Sequence, residues 1–218
     1  LYCTWPVDKT LSQGDITNAP FRLLASTVRS LYPDAGDTRR TAFFYEADQT
    51  HEVAGKDYAI PYKFRNAIFV NDASSSSGLS FVSIDANYVY WRLADIYLLR
   101  AECYAKLGET GSATSDLNRI RQRAGATAYP ASGESDLKEA IFHEREREFL
   151  LENDSRYYDI LRNGYQATKL QGKFQQLTAT DIARGALNLP IPQAAFQDKT
   201  GKIINGSILQ RKYWVSYF

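Results

Sequence analysis

Residues 144–164, EREREFLLENDSRYYDILRNG, set six acids and four arginines among aromatic and aliphatic side chains. The residues just before them read as the start of a helix, from about Ser135 or Asp136 to Asn153. Its apolar face opens with Leu137, Ala140 and Ile141 and resumes at Phe149, Leu150 and Leu151. At helical spacing that face passes through Glu144, Arg145 and Glu148. The charges interrupt the buried stripe instead of decorating the solvent side. Buried charges are costly unless paired, so the rest of the chain must supply partners.

Two uses of such a helix compete. In a catalytic one, Glu144 and Glu148, four residues apart, line a cleft as acid and base. In a structural one, Glu144, Glu148 and Glu152 pair with Arg145, Arg156 or Arg162 and accept backbone hydrogen bonds. The near balance of acids and arginines suits pairing. A glycosidase sets its carboxylates on either side of the scissile bond, usually from different elements. One helix supplying both is poor geometry, and the structural reading is preferred.

Upstream lies the clearest helical pair. YVYWRLADIYLLRAECYAKLG forms one helix, with Leu93, Ile96, Tyr97, Arg100, Ala101, Tyr104 and Leu107 expected on its packing face and Gly108 just past its end. A second helix follows from about Ser112 to Ala124, with Leu117 and Ile120 inward and Gly125 closing it. Ala101, Tyr104, Gly108 and Ala113 have a tetratricopeptide-like register, with small residues where two antiparallel helices cross. A short helix, RYYDILRN, ends at Gly164. The chain therefore divides into a loop-rich segment (1–85), a helical core (86–165) and an irregular C-terminal segment (166–218). In the first, NAPFRLLASTVRSLY reads as a helix capped by Asn18, and TAFFYEA, NAIFV and SFVSI as short strands.

The 218 residues allow one sizeable core or two lobes. A net charge of +1 gives no reason to expect nucleic acid or an anionic surface as partner. No apolar run reaches transmembrane length. Cys3 and Cys103 define neither a disulfide framework nor a zinc motif, and Cys103 reads as a small buried hydrophobe. HEVAG (51–55) lacks the second histidine of a zincin, and His51 and His143 are the only histidines. With no GxSxG and no P-loop, neither metal nor cofactor is expected. The opening LYCTWP reads as that of a processed chain or an internal fragment.

WRLADIYLLRAECYAKLG followed by DLNRIRQRAG resembles the central helical pair of the SusD/RagB family. The ERERE and RYYDILRNG segments, LNLPIPQAAF, the later NGSILQ and the upstream LYPDAGDTRRTAFF resemble further elements of that family in the same order. Asn163 departs from the aromatic residue common before the glycine. The resemblance covers roughly residues 20–218 and implies a mainly α, SusD-like fold: tetratricopeptide-like hairpins, irregular loop-rich segments and a few short strands. It implies a non-enzymatic protein on the outer face of the outer membrane that binds a glycan or oligosaccharide and partners a SusC-like TonB-dependent transporter. The lipid anchor would lie outside this chain, because Cys3 has no lipobox. It also implies a structural role for Asp37 and Arg39.

A neutral glycan offers hydroxyls and a flat C–H face, which proteins meet with exposed aromatic platforms on loops. The candidates are therefore Trp5, flanked by Tyr2 and followed by Asp8, then Tyr32, Tyr58 and Tyr62. Trp91 and Trp214 are expected to pack. A tetratricopeptide-like module with a polypeptide client is the other binding class. It calls for a concave groove on the helices instead of an aromatic arc on the loops.

Overall fold

The computed structural model describes residues 23–63, 67–74, 78–84, 87, 89–152 and 155–217. It divides into two compact units, Leu1–Arg156 and Tyr157–Phe218.

The first unit begins with β1 (Leu23–Leu24), α1 (Ala25–Leu31), α2 (Arg39–Phe43) and β2 (Phe44–Tyr45). β3 (Glu52–Val53) and β4 (Lys56–Pro61) follow, then a separate hairpin of β5 (Ala67–Asn71) and β6 (Leu79–Ile84). β4 organises the small sheet: antiparallel to all three partners, it pairs Asp57 with Glu52, Tyr58 with Leu24, and Ile60 with Tyr45. That pairing explains why Leu23 and Leu24 are extended, where sequence periodicity had placed them in the first helix. Asn18, its expected cap, lies outside the described residues. Val28, Tyr32 and Phe44 are buried together over this sheet, with Ala59 and Leu150 against them.

The helical part comprises α3 (Leu93–Leu107), α4 (Thr110–Ala124) and α5 (Leu137–Glu148). Two residues join α3 to α4, which enforces an antiparallel hairpin. Its core is Ala94, Leu98, Ala101 and Ala105 against Ala113, Leu117 and Ile120, with Ala140, Ile141 and Phe149 added from and beside α5. The alanines let the helices approach closely, as the tetratricopeptide-like spacing predicts. The expected packing face of α3 needs correcting. Leu93, Ile96 and Leu107 are 68%, 56% and 74% exposed. At 100° per residue they lie opposite Ala94, Leu98 and Ala105. α3 is apolar on two faces, and the alanine face is the one that packs. Cys103 shares the outer side and is exposed, not buried.

α5 is capped by Asp136, whose carboxylate accepts from the backbone of Lys138 and Glu139 at 2.7 and 3.1 Å. α6 (Ser155–Asn163) follows, and most of it belongs to the second unit. That unit continues with α7 (Gln166–Lys169), α8 (Ala179–Ala183) and irregular chain. Its tail is tied down as a unit: Tyr213 donates its backbone N–H to Arg184, and the Trp214 indole donates to the Asn188 carbonyl at 2.7 Å. Among the described residues no helix is long and apolar enough to cross a membrane.

Gly125 does more than end α4. Its φ is +72°, and a Cβ there would meet the Gly36 carbonyl oxygen at 2.7 Å. Gly108 has φ +83° but open space around it. Gly108→Ala is expected to cost roughly 1 kcal/mol, from backbone strain alone. Gly125→Ala is expected to cost more, about 3 kcal/mol, because backbone must move as well. Thermal unfolding of the two variants checks this; equal losses would contradict it.

Candidate functional site

The carboxylates of α5 are met by cations from every neighbouring segment. Arg39, on α2, donates to Asp37 through Nε (2.9 Å) and Nη2 (2.7 Å). Its Nη1 bridges Glu144 Oε1 at 2.7 Å and Glu148 Oε2 at 3.0 Å. The other oxygen of Glu144 accepts from Arg121 on α4 and from Arg147, both at 3.0 Å. The other oxygen of Glu148 accepts from Arg92 and Arg123. Arg92 continues to Glu152 at 2.8 and 3.0 Å, and Arg145 pairs with Asp95 at 2.7 Å. Lys63 also pairs with Glu152 and donates to the Glu148 and Leu150 carbonyls at 3.1 Å, capping the end of α5.

This geometry answers the question raised by the charged helix. Glu144 and Glu148 are 0% and 1% exposed, and both oxygens of each are engaged by arginines. Burial by itself would raise the Glu148 pKa. The hydrogen bonds and charges of Arg123 and Arg92 outweigh it and lower the value from 4.5 to about 2. A general acid needs the opposite shift. The carboxylates are framework, and their partners differ from those expected: Arg39, Arg92, Arg121, Arg123 and Arg147 carry the pairing, while Arg145 turns to Asp95. The cavity beside Glu144, between Pro33, Arg121 and Glu134, encloses about 180 Å³. That is below the size of sites that hold drug-sized ligands.

The aromatic candidates separate. Trp5, Tyr2 and Asp8 lie outside the described residues. Tyr32 is a correction: it is fully buried against Phe43 and Phe44, and its hydroxyl donates to the Arg147 carbonyl at 2.6 Å. A ring with no exposed face cannot stack on a ligand. Its register on α1, four residues after Val28, is the signal that places it in the core. Tyr58 is half-buried on β4, opposite Leu24. Tyr62 is half-buried just past β4, with its ring 6.0 Å from that of Tyr45; Tyr45 in turn lies 6.3 Å from His51. Tyr45 and His51 were not candidates, because their chain segments do not reveal that β2 and β4 pair. Trp91, expected to pack, is 78% exposed beside Tyr90.

The order of elements and the Arg39–Glu144–Glu148 network invite comparison with known proteins. The family model of the SusD family matches residues 25–201. The chain belongs to the SusD family. SusD-like protein P25 of Formosa agariphila is 34% identical over 117 residues, which is 51% of this chain and 22% of that protein. A crystal structure of a SusD homologue from Bacteroides thetaiotaomicron superposes with a TM-score of 0.61 at 28% identity, over 88% of this chain and 38% of that one. A second SusD superfamily protein from that organism shares the fold, with a TM-score of 0.56 at 24% identity. The chain spans 38% of the length of these two solved SusD relatives.

For Glu148 the folded pKa lies below the unfolded one. Its stabilisation is therefore present above about pH 4.5 and lost as the pH falls towards 2. Glu148→Gln is expected to cost about 3 kcal/mol at neutral pH, because it removes the buried negative charge that Arg39, Arg92 and Arg123 share. In urea unfolding across this pH range, the gap between variant and wild type should narrow as the acid protonates. A gap independent of pH would contradict the assignment.

Proposed function

We propose that this chain is part of a SusD-like surface protein that binds a glycan without catalysis and delivers it to a TonB-dependent outer-membrane transporter. A lipid anchor outside this chain would hold the protein at the outer membrane. The observation that carries the reading is membership of the SusD family across most of the chain. The sequestration of Glu144 and Glu148 supports it, because the strongest acid–base candidates have no access to a substrate. Binding is assigned to side chains of the loop-rich first segment: the rings of Trp5 and Tyr2 with the carboxylate of Asp8, and Tyr62 and Tyr58 on and beside β4, where Tyr45 adds a further ring.

A second reading has one observation in its favour. Leu93, Ile96 and Leu107 of α3 are exposed on one side of the helix, around Arg100, and Trp91 just before the helix is exposed too, as a module that docks a polypeptide would require.

Affinity electrophoresis of the intact protein in gels containing single polysaccharides separates the two. Retardation by one class of glycan is expected, at least tenfold weaker in Trp5→Ala, as loss of a stacking platform predicts (roughly 1–2 kcal/mol). Retardation unchanged in Trp5→Ala and Tyr62→Ala would keep glycan binding and remove these residues from the site. No retardation by any glycan would overturn the reading in favour of a polypeptide partner.

A further inference from the structure

α3 and α4 border an open groove of about 670 Å³, and none of Tyr45, Tyr58 and Tyr62 lines it. Tyr97 and Arg100 of α3 line it, with Ser115, Asp116, Arg119 and Gln122 of α4. Its volume lies within the range of small-molecule sites. We infer that this groove binds an acidic sugar unit, with the guanidinium of Arg119 gripping its carboxylate or sulfate group.

The two arginines of the groove are in different states. Arg100 is committed: it holds Asp116 through Nε and Nη2 at 2.7 and 2.8 Å. Arg119 is exposed, and no carboxylate among the described residues pairs with it. Its neighbours two and four residues on, Arg121 and Arg123, are both bonded to glutamates of α5. Arg119 is nonetheless held in place, with its Cζ 4.9 Å from the centre of the Tyr97 ring. Arg100 lies 5.2 Å from the same ring. Stacking occupies the face of a guanidinium and leaves its edge, with the N–H donors, directed outward. A planar fork held this way suits bidentate acceptance of a carboxylate or a sulfate ester.

The surroundings select the rest of the ligand. Ser115 and Gln122 lie four residues before and three after Arg119, so all three share one exposed side of α4. They add a hydroxyl and an amide within about one turn of the charge on either side, which is the chemistry that grips sugar hydroxyls. Two arginines and one aspartate leave the groove a net charge of +1. One unpaired cation among neutral polar groups matches a ligand with one acid per sugar unit; a polyacidic peptide would call for a row of unpaired cations. The Tyr97 ring already faces guanidinium groups, so charge and hydrogen bonding hold the sugar here, not ring stacking.

The inference rests on the glycan-binding reading and narrows its substrate class. The test uses the intact protein, Arg119→Gln and Arg119→Lys in gels containing a neutral glucan, polygalacturonate, a sulfated galactan or poly-glutamate. Retardation by polygalacturonate or the sulfated galactan is expected, and which of them acts identifies the acid group. The affinity should fall about tenfold or more in Arg119→Gln, be restored only in part by lysine, and weaken at about 0.5 M salt, with melting temperature unchanged. Acidic-glycan binding that survives Arg119→Gln would overturn the inference. So would retardation by the neutral glucan alone, which leaves the uptake reading standing. Poly-glutamate binding that depends on Arg119 would reassign the groove to an acidic peptide. Retardation by no glycan at all would overturn both readings.

Discussion

Two carboxylates buried on one helix, each with both oxygens filled by arginines, are the constraint on which the first unit depends. Glu144 and Glu148 cannot leave water unless Arg39, Arg92, Arg121, Arg123 and Arg147 arrive together. Those five residues come from α2, the approach to α3, α4 and α5 itself. Satisfying two side chains therefore fixes how four segments meet. Lys63 and Arg92 extend the arrangement by bonding the backbone carbonyl of Glu148, so the end of α5 is capped by distant side chains. Removing one ion from such a set costs far more than the set contributes as a whole, which makes it a device of geometry more than of net stability.

The same arrangement separates framework from function. Charge that is buried and mutually satisfied has no lone pair left for a substrate, so Glu144 and Glu148 are engaged as framework. In the proposed reading, recognition falls to groups outside the network: the rings of Tyr45, Tyr58 and Tyr62 around the small sheet, Trp91 before α3, and the guanidinium of Arg119, which no carboxylate among the described residues pairs with. Membership of the SusD family accounts for the scaffold; in the proposed reading the ligand is decided by these surface groups, because function resides in the site and not in the fold.

Local pattern carried part of this. The α3–α4 hairpin follows from helical period, from the positive-φ glycines at 108 and 125 and from the small residues Ala101 and Ala113, both fully buried. The interrupted apolar stripe of α5 revealed that charge must be buried. It did not reveal the partners: Arg39 lies 105 residues from Glu144, and no local pattern reports a contact of that range. Period also fails where a helix has two apolar faces, so Leu93 and Ile96 were placed inward when the alanine face packs. β4 went unread because its sequence, KDYAIP, begins with charge and ends in proline. Without β4, neither the extended Leu23–Leu24 nor the meeting of Tyr45 with Tyr62 is visible. Tyr32 was read as a platform because it lies in the loop-rich first segment, although it completes the buried face of α1.

The most direct measurement is a double-mutant cycle between Arg39 and Glu144, with Arg39→Met, Glu144→Gln and the double variant unfolded in urea at neutral pH. If the buried network is the framework, each single substitution costs about 3 kcal/mol or more. The double variant should then be more stable than the sum of the two losses predicts, by a coupling of about 1–3 kcal/mol. Small losses that simply add would contradict this, and would mean that Glu144 does not depend on Arg39 to be buried.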